Sequence, residues 1–162
     1  SENNQSLTMS KPFGTVATPP SIIIQGIYPP PDVVVDYLAD FTHAEEWDPG
    51  TESCTRLDSG PIQVGSRFHN ESKIAGVSTE LVYELVTLDA DKVVLRGEND
   101  SATSTDTITV TPQDGGSEIT YEAVIEAKGV GKLAEPLMKL VFERIGSETE
   151  KKMTEVLDRL AG

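Results

Sequence analysis

Apolar and polar positions along this chain follow two different periods, one helical and one of two residues. Between residues 51 and 127, apolar positions alternate with polar ones, which is typical of strands with one dry face and one wet face. In segment 78–88, Leu81, Tyr83 and Leu85 share one face, and glutamates occupy the other. The alternation predicts an antiparallel sheet that is packed on one side only.

Six strands are predicted in this part of the chain, and a seventh precedes it. The turns between them are rich in Gly, Asp, Asn and Pro, which are the usual turn residues. The last strand shows the pattern clearly, because its apolar residues Ile119, Tyr121, Ala123 and Ile125 alternate with Glu and Thr. The predicted strands are 21–28, 51–57, 64–74, 78–88, 92–98, 104–112 and 117–127.

Helical spacing appears in three places. The apolar residues of 32–41 recur every three to four positions, and a short second turn is predicted at 43–47. A long amphipathic helix is predicted from Pro136 to Leu160, because proline is well placed in a first helical turn. Its apolar stripe is Met138, Val141, Phe142, Ile145, Met153, Val156, Leu157 and Leu160.

The order of elements predicts one domain. Residues 1–20 are polar, rich in proline and without periodicity, so we expect a flexible N-terminal tail. Residues 21–162 then predict an α+β domain, in which a seven-stranded antiparallel sheet curves around the long C-terminal helix. A short helical hairpin follows the first strand.

Charge narrows the range of partners. The chain carries 13 basic and 27 acidic residues, for a formal charge of −14. Such a surface repels nucleic acid and anionic lipid headgroups, and it favours a monomer or a loose dimer. No apolar run reaches the roughly 20 residues that cross a bilayer, so no integral membrane segment is expected.

Cysteine usage favours a reducing compartment. Cys54 is the only cysteine, so no internal disulfide can form, and no CxxC motif or Cys/His cluster suggests zinc. We therefore expect a cytoplasmic protein without a metal or other cofactor.

Four features together carry a family resemblance. They are the strand-to-helix segment 27–38, the sequence Glu-Trp-Asp-Pro-Gly at 46–50, the sequence Val-Gly-Ser-Arg-Phe at 64–68, and the order of elements ending in the long helix. In these features the chain resembles the START-like (SRPBCC) superfamily, and most of all its polyketide cyclase/dehydrase branch, which has the helix-grip fold. The resemblance implies a cavity between sheet and helix that holds a hydrophobic small molecule or a lipid. It implies no catalytic motif.

The residues predicted to line this cavity come from the inward positions of strands and helix. An alternative is that the aromatic residues simply fill a solid core. For Asn70 and its neighbour Ser72, burial inside the cavity and exposure at a wet strand end remain equally open. The predicted lining is Phe68, Asn70, Leu81, Tyr83, Leu85, Tyr121, Ala123, Met138, Phe142 and Ile145.

Three functions compete at this point. The leading expectation is a binding or carrier protein for a hydrophobic small molecule or lipid, with no catalytic residue. The alternative is a cyclase/dehydratase-type enzyme that uses Tyr83, Tyr121 or a carboxylate of the pocket as acid or base. The third is an interaction module with a solid core. Residues 130–140, which combine glycine, proline and apolar residues, are a hypothetical movable lip of the cavity.

Overall fold

The computed structural model of this chain describes residues 21–74, 76–128 and 135–161; for Ile74 and residues 135–145 it describes the backbone alone. The predicted tail at 1–20 therefore lies outside the described residues. The same holds for the side chains of the predicted lip at 130–140.

Seven strands and three helices make up the described part of the chain. A single 3-10 turn, Phe41–His43, joins the first two helices. The predicted seven-stranded sheet, early helical pair and C-terminal helix are confirmed. The elements are β1 (Ser21–Ile27), α1 (Pro31–Ala39), α2 (Ala44–Trp47), β2 (Thr51–Arg56), β3 (Arg67–Ile74), β4 (Val77–Asp89), β5 (Lys92–Glu98), β6 (Ala102–Gln113), β7 (Gly116–Ala127) and α3 (Glu135–Leu160).

The strands form one antiparallel sheet in the order β1-β7-β6-β5-β4-β3-β2. Strands β2 to β7 are joined in sequence to their neighbours, whereas β1 pairs with the last strand. Because β1 and β2 lie at opposite edges, the helical segment between them must cross the sheet. Helix α1 accordingly contacts β5, β6 and β7, and α2 contacts β2, so this segment covers part of the dry face.

Helix α1 begins with Pro31 at its first turn and ends two residues earlier than predicted. Asp40 adopts an extended backbone (φ −88°, ψ 98°), and its carboxylate accepts a hydrogen bond from the backbone N–H of Thr42 at 3.1 Å. An aspartate that caps the next turn in this way stops the helix before it. The hydrophobic spacing continues through Phe41, which is why 32–41 was predicted as one helix.

Strand β3 begins at Arg67, three residues later than predicted. Gly65 has a φ of 100°, a conformation that glycine adopts without strain. The N–H of Ser66 donates to the carbonyl of Gln63 at 2.9 Å, which closes a turn. The segment 64–66 is therefore part of this turn, although its composition resembles that of a strand.

The core-facing side of β7 is less buried towards the end of the strand. Ile125 was predicted to face inward with Tyr121 and Ala123, but its side chain is 37% exposed. Strand β1 pairs with β7 only between Ser117 and Glu122. Among the described residues, β7 beyond Glu122 pairs only with β6.

A close backbone approach joins β1 to β7. A Cβ atom at Gly116 would lie 2.1 Å from the carbonyl oxygen of Ile27 and 2.9 Å from that of Tyr28. The hydroxyl of Ser117, which is fully buried, donates to the carbonyl of Pro29 at 2.7 Å. The end of β1 thus fits against the start of β7 only if residue 116 has no side chain.

Helix α3 is fixed against β1 and the core. Met153 and Leu157 are fully buried, and the backbone N–H of Tyr28 donates to Oδ1 of Asp158 at 3.0 Å. At Gly146, a Cβ would lie 3.2 Å from Cγ2 of Ile22. The glycine in this helix therefore coincides with a close contact to a side chain of β1.

The core lies between the dry face of the sheet and the helices. Its members come from every layer, which is typical of one continuous core. Among the described helices, none is both long and apolar enough to cross a bilayer. The largest fully buried side chains are Trp47, Phe41, Phe68, Ile24, Ile27, Leu38, Leu85, Leu95, Ile108, Ile119, Met153 and Leu157.

Candidate functional site

Seven of the ten predicted cavity residues have described side chains, and all seven lie on the dry face. Phe68, Asn70, Tyr83 and Leu85 are buried, and Leu81, Tyr121 and Ala123 are partly buried. The side chains of Met138, Phe142 and Ile145 lie outside the described part of α3. Burial fits both a lined cavity and a filled core, so the lining stays a prediction.

Five aromatic rings meet over the middle of the sheet. Phe41, from the 3-10 turn, lies 4.7 Å from the ring of Tyr83 and 6.1 Å from those of Phe68 and Trp47. Trp47, at the end of α2, meets the ring of Tyr121 edge-on at 5.7 Å. Tilted and edge-on arrangements at these distances are favourable. The helical crossing segment therefore supplies two of the five rings.

The ring of Tyr83 occupies space that a side chain on the neighbouring strand would otherwise fill. Gly97 is its partner residue on β5, and a Cβ at Gly97 would lie 2.7 Å from the tyrosine ring. Glycine here lets the ring lie flat across the neighbouring strand, the relation described as aromatic rescue of a glycine.

A buried carboxylate lies inside this aromatic layer. Asp106, on β6, is 7% exposed. Its Oδ2 accepts a hydrogen bond from the hydroxyl of Tyr121 at 2.5 Å, and its Oδ1 accepts one from the hydroxyl of Ser104 at 3.2 Å. Burial raises the pKa of Asp106 from 3.8 to about 6, against the lowering effect of these hydrogen bonds. The charge of Asp48 contributes to this rise.

Asp48 starts a second polar group at the end of α2. Its carboxylate accepts from the backbone N–H of Gly50 at 3.1 Å and from the hydroxyl of Thr51 at 2.8 Å. Thr51 in turn accepts from the amide of Asn70 at 3.1 Å, and Asn70 accepts from the hydroxyl of Ser72 at 2.6 Å. Burial raises the pKa of Asp48, while its two hydrogen bonds and the charge of Lys152 oppose the rise.

The open question about Asn70 and Ser72 is thereby resolved in favour of burial, since they are 2% and 9% exposed. Their polar atoms are satisfied by each other and by Thr51. They belong to a hydrogen-bonded network at the β2–β3 side of the interior, as buried polar groups generally require.

Both interior tyrosines keep their protons near neutral pH. Burial, followed by the charge of Asp106, raises the pKa of Tyr83. Burial and the charge of Asp106 likewise hold the pKa of Tyr121 well above its usual range. Both phenols therefore stay neutral, Tyr121 donates its proton in a hydrogen bond to Asp106, and Asp106 is the only one of these three groups that titrates near neutrality.

One buried donor is left over. Among the described residues, Nε1 of Trp47 has no hydrogen-bond partner, although the side chain is only 1% exposed. A buried N–H without an acceptor costs about 1–3 kcal/mol. An unpaired donor beside the Tyr121 ring is a place where an acceptor atom from another molecule would be stabilised.

Cys54, in contrast, is a buried residue whose thiol has low reactivity. It is 2% exposed, and burial raises the pKa of its thiol to about 12. Because the thiolate is the reactive form, we expect iodoacetamide to label Cys54 in the folded protein at least about a hundredfold more slowly than in urea, at about pH 8. Mass spectrometry of timed samples measures both rates; folded and unfolded rates within tenfold of each other would contradict the inward placement of Cys54.

The outer face of the sheet carries a group of possible metal ligands. Ligand atoms of His69, Glu71 and Glu80 lie within 4.8 Å of one another, and Nε2 of His69 is 3.1 Å from Glu80. Both glutamates are exposed, and Glu71 is directly opposite Glu80 in the β3–β4 register. The group is separate from the interior, and exposed acidic groups of this kind are common without a metal.

Two surface depressions lie away from the interior. One of about 370 Å³ is on the outer face of the sheet, and charged residues dominate its rim: Arg67, Glu84, Arg96, Glu98, Asp100 and Lys128. The other, of about 460 Å³, lies beside α1, where His43 stacks on Tyr37 at 4.0 Å. Neither contains the buried carboxylate or the aromatic layer.

Sequence reasoning missed Asp106, Ser104 and Asp48. A signal for the first two was present, because Ile108 and Val110 define the dry face of β6 and residues 106 and 104 share their parity. Asp48 had no such signal. It enters the interior only because α2 packs against the sheet.

A sheet that wraps around one long C-terminal helix defines the class of helix-grip proteins. The family described as "Polyketide cyclase / dehydrase and lipid transport" matches residues 26–162, and the chain belongs to this family. The predicted resemblance to the START/SRPBCC superfamily is confirmed. None of the curated protein sequences matches this chain.

Solved structures support the fold. The chain is similar to the Zhui aromatase/cyclase from Streptomyces sp. R1128, with a TM-score of 0.70 and 14% identity over 88% of this chain and 93% of that one. It is also similar to the protein TTHA0849 from Thermus thermophilus, with a TM-score of 0.71 and 15% identity over 88% and 97%. A START superfamily protein from Mycobacterium smegmatis gives 0.64 and 12%, over 84% and 95%.

Proposed function

We propose that this protein binds a hydrophobic small molecule or lipid between the dry face of its sheet and α3. The observation that carries the proposal is the unpaired N–H of Trp47 in a layer of five aromatic rings, one of which, Tyr121, donates a hydrogen bond to the buried carboxylate of Asp106. Ligand sites commonly combine such apolar walls with a few polar groups that fix orientation. The cavity-lining residues named from the sequence belong to the same proposal.

Native mass spectrometry of the purified protein, together with organic extraction, tests this proposal. We expect a bound apolar molecule, or saturable binding of the neutral dye N-phenyl-1-naphthylamine with an affinity in the micromolar range. Ligand-free protein that fails to bind the dye or any lipid or polyketide offered would refute the proposal.

A second candidate is an enzyme of the cyclase/dehydratase type. The observation that favours it is the pKa of Asp106, about 6, because a general acid or base works best with a pKa near the operating pH. Tyr121, which donates to this carboxylate, would supply a proton donor next to it. If the protein is such an enzyme, the native protein turns over a polyketide-like substrate and Asp106→Asn abolishes turnover while dye binding survives; native protein that binds the substrate without converting it would refute this candidate.

We further propose that the protein acts in a reducing compartment such as the cytoplasm, as a monomer or a loose dimer. The lone buried thiol of Cys54 and the charge of −14 support this. Size-exclusion chromatography with light scattering tests the oligomeric part, and a tight higher oligomer would contradict it.

A further inference from the structure

The buried charges of the described residues are all negative. Among the described residues, the buried polar side chains include the carboxylate of Asp106 and no Lys, Arg or His. Asp48 adds a second carboxylate, whose charge raises the pKa of Asp106. The charge of Lys152 acts on Asp48, where it opposes the rise in pKa. Any further anion placed in this layer would meet negative charge with little water to screen it.

Asp106 also has unused hydrogen-bonding capacity. Each carboxylate oxygen has about two lone-pair sites, and each accepts one hydrogen bond, from Tyr121 or from Ser104. The Nε1–H of Trp47, whose ring contacts that of Tyr121, has no acceptor among the described residues. Tyr121 therefore contacts both groups: its ring packs edge-on against Trp47, whose N–H has no acceptor among the described residues, and its hydroxyl donates to Asp106, which can accept more hydrogen bonds. A hydroxyl group is both a donor and an acceptor, whereas a carboxylate offers acceptors only.

We propose that Asp106, supported by Asp48, is a specificity-determining residue that selects neutral, hydroxyl-bearing ligands and excludes carboxylates from the interior. The inference rests on the proposed binding function and narrows it to one ligand class. Asp106 accepts a hydrogen bond from the ligand hydroxyl, and Trp47 donates one to a ligand oxygen. The aromatic rings of Phe41, Tyr83 and Tyr121 favour a flat, unsaturated body on that ligand.

Charge repulsion from Asp106 contributes more to this selection than the hydrogen bond from Trp47 does. A carboxylate ligand would satisfy the Trp47 donor as well as a hydroxyl does. When a carboxylate ligand enters beside Asp106, however, its negative charge and that of Asp106 repel each other. The repulsion is avoided only if the ligand or Asp106 takes up a proton. Asp106 has the higher pKa, about 6, so its protonation is the easier route, and at about pH 7.5 this step weakens the binding of a carboxylate by roughly thirtyfold.

A displacement assay with matched probes tests the selection. N-phenyl-1-naphthylamine, which is neutral, is bound first, and 2-naphthol or 2-naphthoate is then titrated in. The two competitors share one ring system and differ in the polar group. We expect 2-naphthol to displace the dye at a concentration at least about tenfold lower than 2-naphthoate at about pH 7.5.

The variant Asp106→Asn assigns the effect to this residue. It keeps a side chain of the same shape and an acceptor oxygen, but removes the charge. We expect it to reduce the preference for 2-naphthol over 2-naphthoate about tenfold, because the repulsion disappears. Asp91→Asn is the matched control, because Asp91 is exposed in the β4–β5 turn, and it should leave the preference unchanged.

The failures can be told apart. A native protein that does not bind the dye overturns the proposed function, and the specificity with it. Dye binding with equal displacement by both competitors overturns the specificity alone and leaves a site for hydrophobic molecules. A preference for 2-naphthol that persists in Asp106→Asn assigns the selection to other residues and refutes the role of Asp106.

Discussion

The Asp106→Asn variant is expected to be more stable than the native protein at pH 7, by about 2–3 kcal/mol. In the native protein, burial raises the pKa of Asp106 from 3.8 to about 6, and each unit of such a shift corresponds to about 1.4 kcal/mol. Folding at neutral pH therefore carries a charged carboxylate into a dry layer. Asparagine avoids this cost and retains an oxygen that accepts from Tyr121.

The advantage of the variant depends on pH in a defined direction. Below about pH 4, Asp106 is protonated in both the folded and the unfolded protein, so its charge costs nothing. Between about pH 4 and pH 6, the folded protein keeps the proton that the unfolded chain loses, so the native protein becomes progressively less stable than the variant as pH rises. Above about pH 6 the difference is constant.

Urea unfolding of both proteins across this pH range measures the difference in free energy of unfolding. Subtracting the two curves cancels most of the effect of the other carboxylates. Asp91→Asn, which alters an exposed aspartate, should differ from native by a constant amount. If the difference for Asp106→Asn is equally flat, the carboxylate is not buried as described.

The Gly116→Ala substitution is expected to destabilise the protein by about 3 kcal/mol or more. The added methyl group would lie 2.1 Å from the carbonyl oxygen of Ile27 and 2.9 Å from that of Tyr28. Both obstacles are backbone atoms, so no side chain can rotate away. The end of β1 must separate from β7, which also strains the buried hydrogen bond from Ser117 to Pro29.

The matched control is Gly146→Ala, which adds the same methyl group in α3. There the nearest atom is Cγ2 of Ile22 at 3.2 Å, the end of a side chain that can shift slightly. Alanine is favoured over glycine in a helix by about 1 kcal/mol, so we expect a change within about 1 kcal/mol of native. Urea unfolding measures both variants, and a Gly116→Ala protein as stable as Gly146→Ala would contradict the close approach of β1 and β7.

The fold could be predicted from the sequence where one face of an element is consistently apolar. Strand β4 is an example, because Tyr83 and Leu85 alternate with glutamates and both are buried. The errors lie where a single residue changes the backbone locally. Asp40 ends α1 by capping the following turn, and Gly65 turns the chain before β3; hydrophobic periodicity carries no information about either effect.

The candidate site could be predicted only in its apolar half. Phe68 and Tyr83 followed from alternation, whereas Asp106 lies in a strand whose many threonines and serines obscure which face is dry. Trp47 and Asp48 reach the interior from the helical segment that crosses the sheet. Their proximity to Asp106 and Tyr121 is a tertiary relation between residues far apart in sequence, so no local pattern reports it.

The pairing of β1 with β7 has a consequence for the order of folding. Ser21 to Ile24 pair with Ile119 to Glu122, about 100 residues further along the chain, so during synthesis on the ribosome the first strand emerges long before its partner exists. Such long-range pairing slows folding, and the three consecutive isoleucines of β1 are meanwhile open to association with other chains. The isoleucine-rich first strand is therefore exposed to association with other chains until the last strand has been made.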